Sequence, residues 1–121
     1  MTSRMTGYEY QLLASRTAPA KPERELTTQE QMLIRHLLGI AGEAGEMIEH
    51  VKKGIYHNHG IEPDKLHKEI GDLLWYIAAI CDVMEFNLDE VMRQNILKLA
   101  ERYPSGFSQL RSINRKESQT L

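Results

Sequence analysis

The sequence predicts an all-α fold, on three observations. Apolar residues recur at three- and four-residue steps over two long stretches. Several segments open with the residue pattern of a helix N-terminus. No segment shows the apolar–polar alternation of a half-buried strand.

Each element can be justified in order. Thr6-Gly7-Tyr8-Glu9 has the spacing of a capping box, in which a threonine hydroxyl and a glutamate three residues on satisfy each other's free backbone N–H groups. A short first helix through Ser15 is therefore predicted. Residues 17–26, with Pro19 and Pro22, read as a linker. Thr27-Thr28-Gln29-Glu30 repeats the capping spacing. Beyond it Leu33, Leu37, Ile40, Ala44, Met47, Ile48 and Val51 form an amphipathic stripe, so a second helix runs to about Gly54. Tyr56-His57-Asn58-His59-Gly60 is loop by composition. Pro63 suits the first turn of a third helix, whose stripe is Leu66, Ile70, Leu73, Ile77, Ile80, Cys81 and Met84. Asn87, with Glu90 three residues on, caps a fourth helix reaching about Tyr103, where Pro104-Ser105-Gly106 stops it. The predicted organisation is a single helical domain over residues 1–107, with its core at 28–107. A polar tail, 108–121, is expected to fray.

Composition bounds the function. The chain has 121 residues, enough for one domain, with 41% hydrophobic and 26% charged residues, as in ordinary globular proteins. A net charge of -2 argues against a broad nucleic-acid surface, though not against a local cationic pocket. One cysteine, Cys81, excludes an intrachain disulfide and fits a reducing compartment. No run of eighteen apolar residues occurs, and the first residues lack the apolar stretch of a secretory signal. A cytoplasmic location without membrane or nucleic-acid partners is expected.

Two acidic pairs carry the chemistry. Glu43 and Glu46 stand on the second helix, Glu69 and Asp72 on the third, each pair with a three-residue step that puts both carboxylates on one face. If the two helices form an antiparallel hairpin turning near His57-Asn58, Glu46 falls level with Glu69 and Glu43 with Asp72. On helical wheels Glu43 and Glu46 lie roughly 80° and 140° from the centre of their stripe. Glu69 and Asp72 lie roughly 60° and 120° from theirs. All four therefore occupy the shoulder of an apolar seam, where carboxylates lose hydration and repel one another. A hard divalent cation such as Mg2+, with Mn2+ as substitute, turns that cost into a site. Gly42, Ala44, Gly45 and Gly71 are small residues that let a helix or a ligand come close. The competing reading, surface acids on solvated helices, is common for one such pair and much less so for two at matched offsets.

The fourth helix offers a complement. Asn95, Lys98 and Arg102 share a face, while Val91, Met92, Ile96, Leu99 and Tyr103 form another. A cationic and amide-bearing stripe beside a cation site is what a polyphosphate requires. An ordinary solvated Lys/Arg face competes with that reading. Lys53 is counted with the substrate contacts, against the alternative that Lys52 and Lys53 complement a helix C-terminus. His57 and His59 suggest zinc only weakly, having no cysteine nearby. His36, His50 and His67 form no metal-binding step with each other. Cys81, on an apolar stripe, reads as a core thiol. Trp75 falls on the back of its wheel, where packing against another helix or subunit outweighs base stacking.

At these residues the chain resembles the MazG-like all-α nucleoside triphosphate pyrophosphohydrolases. The resemblance rests on Gly42-Glu43-Ala44-Gly45-Glu46, on Glu69-Ile70-Gly71-Asp72-Leu73-Leu74-Trp75-Tyr76, and on Asn95 through Lys98 to Arg102-Tyr103-Pro104. It covers roughly residues 28–107. The family pattern opens with one further glutamate, whose position Gly42 occupies here, which bears on a fifth acidic contact and on the number of ions. The resemblance implies a four- to five-helix bundle assembled as a homodimer or homotetramer. It implies cleavage between the α- and β-phosphates to a monophosphate and pyrophosphate. Glu43, Glu46, Glu69 and Asp72 would hold Mg2+, with Glu43 or Glu46 as base. Tyr76 would contact sugar or base, and Asn95, Lys98 and Arg102 the phosphates. The alternatives are a phosphoribosyl-ATP pyrophosphohydrolase and a non-catalytic helical interaction module.

Overall fold

A computed structural model of the chain describes residues 3–58 and 60–106. It contains four helices: α1 (Gly7–Ser15), α2 (Thr28–Tyr56), α3 (Pro63–Met84) and α4 (Leu88–Arg102). No strand occurs among the described residues. The predicted tail, 108–121, lies outside them.

The helix starts follow from local chemistry. At α1 and α2 the capping box is complete: the Thr6 and Thr27 hydroxyls accept from the Glu9 and Glu30 N–H groups, and each glutamate accepts in return. Arg24 adds a two-pronged contact to Glu30, at 2.7 and 2.6 Å. Its guanidinium and the Thr27 N–H hold the Glu30 carboxyl down at about 2. Pro63 opens α3 where its missing N–H costs nothing. The Asn87 side chain accepts from the Glu90 N–H and opens α4. At the end of α3, Glu85 takes a left-handed conformation (φ 58°) that lets the Phe86 N–H reach back to the Cys81 carbonyl at 2.8 Å.

Helices α2 and α3 form an antiparallel hairpin, the one pair in extended contact among the described residues. Its seam uses the predicted stripes. Leu33, Ile40, Ala44, Met47 and Val51 meet Leu66, Leu73, Ile77, Ile80, Cys81 and Met84, all buried or half-buried. Leu37, Ile48 and Ile70, assigned to the same stripes, are exposed instead. They sit at the edges of faces that one partner helix is too narrow to cover.

Two glycines fix the hairpin's register. A Cβ on Gly39 would overlap the Tyr76 ring, and one on Gly54 would meet the Gly60 carbonyl oxygen at 2.7 Å. So the aromatic ring and the interhelical loop both lie directly on the α2 backbone. The Gly60 N–H donates to the Gly54 carbonyl at 3.1 Å. At the other end Gln29 Nε2 donates to the Val83 carbonyl at 3.2 Å.

Neither α1 nor α4 packs along this hairpin, so the chain alone does not close the expected bundle. Among the described residues Cys81 is the one apolar side chain that is buried, the rest of the seam being half-buried. The apolar face of α4 is open, with Ile96 64% exposed, and so are Leu38 (67%) and Trp75 (62%). No helix of the described residues is long and apolar enough to cross a membrane.

Candidate active site

The register that places Gly39 against Tyr76 also places Glu43 beside Asp72 and Glu46 beside Glu69, the alignment expected from sequence. Burial within the group is unequal. Glu69 is buried, Glu43 half-buried, and Glu46 and Asp72 exposed.

Glu43 bears the electrostatic cost. Its Oε2 is buried and has no hydrogen-bond partner. Burial raises the proton affinity of its carboxyl, and the charges of Glu46, Asp72 and Glu69 raise it further. A buried anionic oxygen without a partner, among three more carboxylates, is the environment a hard cation relieves. The donor set is all carboxylate, which suits Mg2+ or Mn2+ and not a soft metal. As the side chains stand, no three His, Cys, Asp or Glu among the described residues are gathered tightly enough to hold an ion. The seam brings Glu43 within electrostatic reach of Glu46, Glu69 and Asp72 without gathering three of them about one point.

The small residues divide into two groups. Nothing lies within 4 Å of a Cβ built on Gly42, Gly45 or Gly71, so these are not where the helices approach. They leave open space beside the acids. Close packing falls to Gly39 and Gly54, which the sequence reading did not single out.

His50 is the neighbour of the acidic group that the sequence alone did not connect with it. It is buried, and its Nδ1 lies 3.2 Å from Glu69 Oε2. Its Nε2 accepts from the Glu62 N–H at 3.2 Å. A signal existed: His50 follows Glu46 by four residues and Glu43 by seven, one heptad on the same face.

One turn or two from the acids, toward the start of α2, His36 is buried against Trp75 and Tyr76, with ring centroids 6.0 and 6.3 Å away. Trp75 meets Tyr76 edge-on at 5.1 Å. Tyr76 is thus packed on Gly39 one turn past Asp72, close to where a substrate contact was expected. His57 is exposed, and the His59 half of the zinc suggestion lies outside the described residues.

The predicted phosphate contacts stand elsewhere. Asn95 and Lys98 line a groove of about 750 Å³ at the turn between α3 and α4, shared with Glu85 and Glu90. Glu85 lies thirteen residues beyond Asp72 on α3, about 20 Å along the axis. Arg102, half-buried, is at the far end of α4. Within one chain the structure does not bring this stripe to the carboxylates. Lys53 is exposed and paired with Glu49 at 3.6 Å.

The chain matches the MazG nucleotide pyrophosphohydrolase domain over residues 30–107, nearly two thirds of its length. The chain belongs to this family. The match takes in all four acids, His50 and the α4 stripe. The gene 37 protein of Mycobacterium phage L5 is 34% identical over 82 residues, covering 64% of this chain and 72% of that protein. No solved structure matches. Membership assigns the chain to the nucleotide pyrophosphohydrolases, a hydrolase family, and gives the carboxylate group a chemical context that the seam alone lacks.

Proposed function

We propose that the chain is a nucleoside triphosphate pyrophosphohydrolase that depends on Mg2+ or Mn2+. It would accept free ribo- or deoxyribonucleoside triphosphates, as a nucleotide-pool house-cleaning enzyme does. The observation that carries this reading is the buried, unpartnered Glu43 Oε2 amid Glu46, Glu69 and Asp72 in a chain of this family.

Those four side chains are the ones that would hold the cation. Bound there, it would polarise phosphoryl oxygens and offset the charge of the leaving pyrophosphate. The protein's own part is positioning and proton transfer. The oxygen of a water bonds to the α-phosphorus as the bond from that phosphorus to the bridging oxygen breaks. The bridging oxygen leaves with pyrophosphate, and a proton of the water passes to Glu43 or Glu46. Tyr76, seated on Gly39, contacts the sugar or base from the neighbouring turn.

The phosphate contacts of Asn95, Lys98 and Arg102 come from α4 of another copy. Two observations support this: α4 stands away from its own hairpin, and its apolar face is uncovered. The working form is a homodimer or homotetramer, with the site completed across the interface.

The test is pyrophosphate and monophosphate release from a panel of triphosphates, with Mg2+ and with chelator, beside Glu46→Ala. Metal-dependent release lost in the variant is the expected result. A parent that turns over neither free triphosphates nor phosphoribosyl-ATP defeats the enzyme reading.

A further inference from the structure

His50 has both ring nitrogens engaged, and the two contacts together fix its tautomer. A backbone N–H can only donate, so Nε2, which accepts from Glu62, carries no proton. The ring proton is then on Nδ1, which donates to Glu69 Oε2. Both side chains are more than nine-tenths buried, so water does not compete for this contact.

The loop that supplies the Glu62 N–H is itself held in place. Gly54, one turn past His50, admits the Gly60 carbonyl where any Cβ would collide. The Gly60 N–H donates to the Gly54 carbonyl, and two residues later the chain presents Glu62 to His50. A series of contacts therefore joins Gly54 to Gly60 on one side, and Glu62 through the imidazole to one carboxylate of the acidic group on the other. Glu69 Oε1 takes no hydrogen bond among the described residues.

We propose that His50 is a positioning residue for the cation site: clamped by Glu62, it holds Glu69 Oε2 and leaves Oε1 to the ion. This rests on the cation-site reading above. A histidine donating to a ligating carboxylate orients that ligand and reduces its freedom before the ion arrives. Losing such a partner typically weakens metal affinity about 10- to 100-fold. Of the four acids, Glu69 is the one held in this way. It supplies a fixed point around which the exposed Glu46 and Asp72 can close.

The experiment titrates Mn2+ into the full chain by calorimetry, without nucleotide, for the parent, His50→Leu and His50→Asn. Circular dichroism checks the fold of each. Leucine removes the donor. Asparagine keeps an N–H near the Nδ1 position and should recover most of the affinity that leucine loses, about 10- to 100-fold. In parallel, ¹⁵N spectra of the parent should show the Nδ1–H tautomer of His50, with ring signals that shift when Mg2+ is added. A folded His50→Leu that binds Mn2+ within about twofold of the parent, well below the loss expected for such a partner, overturns the proposal. So does an Nε2–H tautomer, or a parent that binds no cation. If His50→Leu does not fold, the spectra decide: ring signals unmoved by Mg2+ overturn the assignment. The two readings fail separately. A parent without hydrolytic activity whose Mn2+ affinity still falls on loss of His50 sinks the enzyme and keeps the positioning role. An active parent whose cation affinity ignores His50 does the reverse.

Discussion

Glu43 sets folding against function within one side chain. Burial and three neighbouring carboxylates raise its proton affinity in the fold above that of the unfolded chain. The native state therefore binds the proton more tightly. Below the ordinary carboxylate range, near 4.5, the group imposes no penalty. As pH rises from there through the raised folded value, the fold loses stability. Glu43→Gln should raise the melting temperature of the cation-free chain at pH 7 and leave it nearly unchanged at pH 4. Added Mg2+ should then stabilise the parent more than the variant, while pyrophosphate release falls at least tenfold, about 1.4 kcal/mol in the barrier. A variant less stable than the parent at pH 7 would contradict the electrostatic account. Glu30 has the opposite sign. Arg24 and Thr27 hold its carboxyl at about 2, so its contribution is present above the ordinary range and fades as pH falls toward that value.

The helices divide the glycines by what faces them, and the division is testable. Gly45 opens onto space, so Gly45→Ala should stabilise α2 by about 0.5–1 kcal/mol through helix propensity alone. Gly39 faces the Tyr76 ring, and Gly39→Ala should cost about 1–3 kcal/mol by overpacking. Thermal melts of the two variants should move in opposite directions. This contrast also marks what was legible in sequence. Both stripes, both capping boxes, the Pro63 and Asn87 starts and the acidic register were readable, because each depends on neighbours within a turn or two. The wheels even ordered burial: Glu43 and Glu69, nearer their stripe centres, are the more buried of each pair. The seats at Gly39 and Gly54 were not readable, since a glycine's role depends on what lies opposite it. His50 was missed for the same reason. Its partners are a backbone N–H twelve residues on and a carboxylate on another helix.

The described residues as a whole have little interior for their number. Cys81 is the one buried apolar side chain among the described residues, while Leu37, Leu38, Ile48, Leu74, Trp75 and Ile96 stand in the open. A hairpin of two helices covers one stripe of each, and α2 and α3 carry apolar residues beyond that stripe. Apolar side chains exposed along one helix face suit an interface, and the uncovered face of α4 adds a second surface of the same kind. If copies of the chain bury these faces together, one substitution separates assembly from chemistry. Leu38 lies on α2 well before Glu43, so Leu38→Glu places a charge in the apolar face without touching the acidic group. Desolvating that carboxylate at an interface costs several kcal/mol per ion, enough to shift a dimer to monomers at micromolar concentration. Sedimentation should show the parent as a dimer or tetramer and Leu38→Glu as a smaller species with a lower melting temperature. Pyrophosphate release should fall with the mass, because the α4 stripe of one copy is then separated from the acidic group of another. A Leu38→Glu monomer with full activity would place the phosphate contacts within a single chain, and α4 would have to fold back onto its own hairpin to make them.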